Sequence, residues 1–174
     1  MNNTENNDNI RFRGGLTITL KQMQTIQKCI EHLVEMVPAK YTLVVDTSGQ
    51  VVTSGGAKGM IDQAILGSLI AADLAASQEI AQLTGEFQDF QMILREGNKT
   101  NIIIAEAGKN LILLALFSKD TPLGWSRALI QKCAREISFH SQPNQPVEKE
   151  LTEGVIDGDL PELFNDALDQ IWKE

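Results

Sequence analysis

Apolar residues recur along this chain at two different spacings. Leu20, Met23, Ile26, Ile30, Leu33 and Val37 step by threes and fours, which predicts an amphipathic helix. Thr19 and Gln22 offer a capping box at its start, and Pro38 lies just beyond its last turn. The period then shortens to two. Tyr41, Leu43 and Val45 alternate along a strand that runs into Asp46-Thr47-Ser48-Gly49, and a second short strand follows over 50–53. A tight reversal needs a residue with positive φ, and Gly49 supplies it, so 41–56 reads as a hairpin. Ser54-Gly55-Gly56 leads into a long alanine-rich helix over about 61–83, stopped by Gly85.

Three apolar strands come next. Phe90, Met92 and Leu94 alternate on the first, which ends at Glu96-Gly97-Asn98; 102–105 forms the second, and Ala107-Gly108-Lys109-Asn110 turns the chain into the third over 111–117. Pro122 opens a last helix with apolar positions Leu123, Trp125, Leu129, Ile130, Ala134 and Ile137. The expected order is α-β-β-α-β-β-β-α, with short loops that demand antiparallel pairing. That is an α+β fold, a five-stranded antiparallel sheet flanked by helices. It occupies residues 16–140. Residues 1–15 read as a flexible extension, 141–158 as a linker with two prolines, and 159–174 as a helix. In that last segment Asp159 and Glu162 make a capping box, and Leu163, Phe164, Ala167, Leu168, Ile171 and Trp172 form one wide apolar stripe. So short a helix is marginal alone in water, so the stripe needs a surface: its own domain or a partner.

Charge sharpens this division. The net charge is −8, but residues 147–174 alone hold nine acids against Lys149 and Lys173. A nearly neutral domain therefore carries an acidic tail. Nucleic acid is excluded as an expected partner, because phosphate binding needs a basic face. Charge alone would make the tail a solvated one. A start of MNNTENNDN lacks the basic and apolar regions of a signal peptide, no window reads as a membrane span, and Cys29 and Cys133 read as separate buried thiols. The cytoplasm is the expected location.

Candidate chemistry is thin. Gly55-Gly56-Ala57-Lys58-Gly59 is too short for a phosphate loop and lacks the Ser or Thr after its lysine. His32 and His140 have no neighbours at metal-binding spacing, Cys29 has no activating partner, and Asp46 reads as a turn residue. No catalytic residue, metal or cofactor is expected. A ligand-sensing role is disfavoured, because the nine aromatic residues are too few to ring a cavity.

The long second helix carries the strongest signal. Ala64, Ser68, Ala72 and Ala76 step by four, with Gly67, Ala71 and Ala75 alongside, and small side chains let another helix approach closely. Ile61, Ile65, Leu69, Ile80 and Leu83 are expected to supply the contact with the sheet, which leaves the small-residue face for a homodimer seam. An edge strand over 88–95, with Phe90 and Met92, would continue that seam across the two-fold axis.

LVVDTSGQVVTSGG followed by the Gly/Ala/Ser-rich helix, and FSKDTPLGWSRALIQKCAREI after the last strand, resemble the roadblock/dynein light chain family over about residues 20–140. The most specific positions are Asp46, Gly49 and Gln50, then Gly67 and Ser68, then Thr121, Leu123, Gly124 and Arg127. Within the family the likeness is to bacterial MglB-type members, and GDLPELFNDALDQIW resembles their acidic C-terminal segment. The resemblance implies a homodimer that binds a small Ras-like GTPase of the MglA type and stimulates its GTP hydrolysis by reshaping the partner's own active site. A scaffold or adaptor subunit without effect on rate is the alternative. On this reading Arg127 is a helix-surface or capping residue and no arginine finger. Partner contacts are expected at Lys58, Met60 and Ile61, and along Leu163, Phe164, Leu168, Ile171 and Trp172 of the tail.

Overall fold

The computed structural model describes residues 9–57, 59, 61–86 and 91–142. Helix α1, Leu20–Met36, begins at the capping box: Gln22 N donates to Thr19 Oγ1 at 3.1 Å, and Thr19 N donates to Gln22 Oε1 at 2.9 Å. Its apolar stripe is buried at Ile26, Cys29, Ile30 and Leu33. Strands β3 (Ala39–Asp46) and β4 (Val51–Gly56) form the expected antiparallel hairpin. Helix α2, Gln63–Thr84, follows; Asp62 caps it by accepting from the amides of Ala64 and Ile65, and Gly85 ends it at φ 75°. Strands β5 (Met92–Glu96), β6 (Thr100–Glu106) and β7 (Leu111–Ser118) lead to helix α3, Leu123–His140.

The sheet order is β4-β3-β7-β6-β5, antiparallel throughout. Side chains alternate along each strand, so the sheet feeds two cores. Val44, Ile103, Leu113 and Phe117 pack with α1 and α3 on one face, while Leu43, Val45, Ile104 and Leu114 pack under α2 on the other. The expected α+β layer and its element order are present.

One element departs from expectation. Strand β1, Asn9–Arg11, pairs with β2, Thr17–Thr19, so part of the expected extension is folded onto the domain. Phe12, Leu16 and Ile18 are buried in the α1/α3 core. The turn between them uses Gly15 at φ 82°, and Phe12 N donates to Leu16 O at 2.8 Å. Three buried apolar side chains offset the ordering of so short a ribbon. From 143 onward, the expected linker and the expected C-terminal helix lie outside the described residues.

Candidate functional site

The β3–β4 turn is held by Asp46, which is fully buried. Its Oδ1 accepts from Ser48 N (3.0 Å), Ser48 Oγ (2.7 Å) and Gln50 N (2.8 Å), and its Oδ2 accepts from Gly14 N (2.8 Å). Buried ionised groups require such partners, and hydrogen bonds to a charge are among the stronger ones. The carboxylate ties the N-terminal ribbon to the hairpin, so its role is architectural. Gly49, at φ 83°, brings the turn backbone directly onto α2.

That contact decides which way α2 faces. A Cβ on Gly67 would collide with the carbonyl oxygen of Gly49 and sit 3.1 Å from Val45 Cγ1, and a Cβ on Gly49 would lie 2.6 Å from Ser68 Cα. Gly67 therefore sits inward, followed on the same arc by Ile70, Ala71 and Leu74, all buried against the sheet. The expected assignment of the two faces is corrected in both directions. Gly67 and Ala71, placed in a dimer seam by spacing alone, belong to the sheet contact. Ile65, Leu69, Ile80 and Leu83, expected to make that contact, are 61%, 62%, 61% and 86% exposed. Ala64, Ser68, Ala72, Ala75 and Ala76 are exposed as well, so the outward arc mixes small and large apolar side chains. The missed signal was the pairing of two glycines, one in a turn and one in a helix, which marks a close backbone crossing. By length and composition α2 would also suffice to cross a membrane, yet its inward arc is packed on a sheet and both its ends are capped.

Strand β5 pairs only with β6 among the described residues and forms one edge of the sheet beside α2. Arg95 on β5 reaches Asp73 on α2, with Nη2 to Oδ1 at 2.6 Å and Nε to Oδ2 at 3.2 Å. Met92 packs into the α1/α3 core, so its side chain lies across the sheet from α2, whereas Ile93 packs under α2. Phe90 is outside the described residues.

The segment before α2 lies at the other end of β3 from the Asp46 turn, because Tyr41 pairs with Gly56 and Val45 with Val51. Gln63 Nε2 donates to Ser54 Oγ at 3.1 Å, and Ala57 N donates to Lys40 O at 2.9 Å, which pins both sides of the connection. Ile61 is 37% exposed there. Lys58 and Met60 fall outside the described residues, as do Leu163, Phe164, Leu168, Ile171 and Trp172.

Among the described residues no three His, Cys, Asp or Glu side chains converge as a metal site. Cys29 and Cys133 are free and buried; burial, with Glu136 adding to it, pushes the Cys29 thiol from 9.0 up to about 12, and burial, with Cys29 next, pushes Cys133 up as well. Neutral thiols at such sites are poor nucleophiles. Arg127 and His32 are exposed on their helices. The described surface offers an apolar helix face, a strand edge and a loop, which suit protein contact.

Comparison with known proteins follows the same lines. The Roadblock/LC7 domain profile matches residues 26–117. Among solved structures, Myxococcus xanthus MglB is 32% identical with a TM-score of 0.62, covering 65% of this chain and 91% of that one. The gliding protein MglB from Thermus thermophilus is 23% identical with a TM-score of 0.65, covering 72% and 95%. A Roadblock/LC7 domain from Streptomyces avermitilis is 15% identical with a TM-score of 0.55, covering 61% and 88%. These last two likenesses concern the fold alone. No curated protein sequence matches the chain.

Proposed function

The chain belongs to the Roadblock/LC7 family, and on that premise we propose that it acts as a homodimeric, non-catalytic regulator of a bacterial small Ras-like GTPase in the cytoplasm. The observation that carries this reading is the outward arc of α2. Ile65, Leu69, Ile80 and Leu83 stand exposed around Ala72 and Ala76 on a helix whose other arc is already packed. A row of this kind is uncommon on a protein that works alone. Pairing it with a second copy buries the same patch twice, about a two-fold axis. The edge of β5, unpaired among the described residues, lies beside the arc, so strand pairing across the axis would cover it in the same step. Burying a large aliphatic side chain contributes at most about 1.5–3 kcal/mol, and the symmetric contact counts each one twice.

The identity to MglB over nearly its whole length supports a partner of the MglA type. The GTPase would dock near the N-terminal ends of the paired helices, through Lys58, Met60 and Ile61, with the acidic C-terminal segment as a second contact. Acceleration would come from reshaping the partner's active site. Single-turnover GTP hydrolysis by the MglA-type GTPase, with and without this protein, tests the reading. No hydrolysis by the protein alone and a faster rate in the mixture are expected. Complex formation with an unchanged rate would make the protein a scaffold and overturn its role as an activator.

A further inference from the structure

A groove of about 600 Å³ opens at the turn end of the sheet, where the β6–β7 turn lies between α2 and the C-terminal half of α3. Its floor is apolar: Leu74, Ala75 and Ile112 line it, and Phe139, half-exposed, forms one wall. Its rim is basic. Lys109 and Arg135 both line it, both are exposed, and neither forms an ion pair among the described residues. The acid on the rim, Glu106, is already engaged by Gln78 Nε2 and by Gln91 N at 2.9 Å. The groove is on the flank of α2 opposite the Arg95–Asp73 pair, with Ala75 at the margin of the outward arc and Glu106, bonded to Gln91 just before β5, on its border.

The described chain ends at this groove. Gln142 lines it, and Gln22 Nε2 donates to the carbonyls of His140 and Gln142, both at 3.0 Å, which fixes where the chain leaves α3. Beyond that point the sequence holds a connector, 143–158, and then the stripe Leu163, Phe164, Leu168, Ile171 and Trp172, within a stretch of nine acids and two bases over 147–174. The geometry points to the chain's own segment 159–173 as the occupant of this groove in the partner-free protein. Its apolar stripe meets the apolar floor, and its carboxylates meet Lys109 and Arg135. A random chain of the connector's length spans on the order of 20 Å, which holds the segment near the groove at an effective concentration of roughly 1 mM. This extends the proposed regulation: the groove and the GTPase would compete for one segment, so the tail is masked until a partner arrives.

Hydrogen exchange on the full chain without any GTPase tests the groove separately from the GTPase reading. Two full-length variants are compared with wild type: Phe164→Glu with Ile171→Glu in the tail, and Lys109→Glu with Arg135→Glu on the rim. Both should speed exchange over 106–112 and 135–142 by about tenfold, the factor for roughly 1 mM segment against a Kd near 0.1 mM, with β3 unchanged as the fold control. High salt should reproduce part of the loss. Adding Glu162→Lys and Asp169→Lys to the rim variant should restore protection. Exchange in the tail variant equal to wild type would overturn the proposal, and so would protection that falls on dilution, which would assign the groove to another molecule's tail.

Discussion

Asp46 shows how much a single side chain organises here. Its carboxylate is fully buried yet accepts four hydrogen bonds, three within its own turn and one from Gly14. Asp46→Ala leaves those donors without their acceptor, which should remove about 3 kcal/mol of stability. For a chain of this size each kcal/mol moves Tm by about 2–4 °C, so thermal denaturation reads the loss directly. A Tm unchanged within a degree or so would show that water replaces the carboxylate at no cost. The cysteines make a different statement. Burial raises the Cys29 thiol from 9.0 to about 12 and shifts Cys133, and the Tyr41 hydroxyl, in the same direction. An acid whose folded pKa is raised stabilises the fold fully below its unfolded pKa and loses that contribution as pH climbs through the folded value. Tm should therefore hold steady as the thiols stay neutral up to pH 9 and fall between 9 and about 12. Melting curves across that range check the sign, and Cys29→Ala with Cys133→Ala should flatten the decline.

Among the elements, α2 carries two apolar arcs with different duties. Gly67→Ala adds a methyl where Gly49's carbonyl already sits. The overlap is with backbone, which yields little, so the strain of about 1–3 kcal/mol outweighs the gain of about 1 kcal/mol in helix propensity. Ala72→Glu acts on the exposed arc instead. It should leave the fold intact and drive the proposed dimer apart, because a charge and its symmetry mate cannot both stay solvated in a closed seam. Denaturation and light scattering on the two variants should give opposite patterns; a stable Gly67→Ala protein that no longer dimerises would reverse the assignment of the arcs. The N-terminal ribbon makes a parallel case. Phe12 is buried beside Leu16 and Ile18, so Phe12→Ala should cost about 3 kcal/mol. A flexible extension would tolerate the change without effect on Tm.

At the scale of the whole molecule, the surfaces divide between proposed occupants. The exposed arc of α2 and the β5 edge face a second copy, the 54–61 segment faces the GTPase, and the groove at the turn end faces the chain's own tail. A charged substitution at the β5 edge or in the middle of the α2 arc should spare the GTPase contact at 54–61, since sites far apart with no shared contact behave independently, whereas a groove substitution should release the tail and strengthen GTPase binding. Arg127 is exposed on α3. Arg127→Ala should keep most of the acceleration of GTP hydrolysis, whereas loss of an arginine finger removes a factor of about a thousand or more. Single-turnover kinetics separate the two outcomes.

Much of this architecture was written in local pattern. The capped helix before the hairpin, the DTSG turn, the three apolar strands and the Pro-led last helix are each set by neighbours within a few residues, where periodicity and turn chemistry act. The same holds for the resemblance to the roadblock family, which rests on the hairpin, the small-residue helix and the FSKDTPLGW segment that opens the last helix. Two decisions were not local. Both arcs of α2 are apolar, so spacing alone could not say which one meets the sheet. The choice came from Gly49 and Gly67, distant in sequence, whose backbones cross too closely for any side chain. The N-terminal ribbon likewise depends on Gly14 reaching Asp46, 32 residues further along. Local pattern therefore sufficed for the three helices, the hairpin and the three later strands in their order, and for the two candidate faces of α2, but not for the N-terminal ribbon. Which face packs on the core and which stays open to a partner was settled in three dimensions, because it depends on backbone approach between segments that no short window of sequence contains.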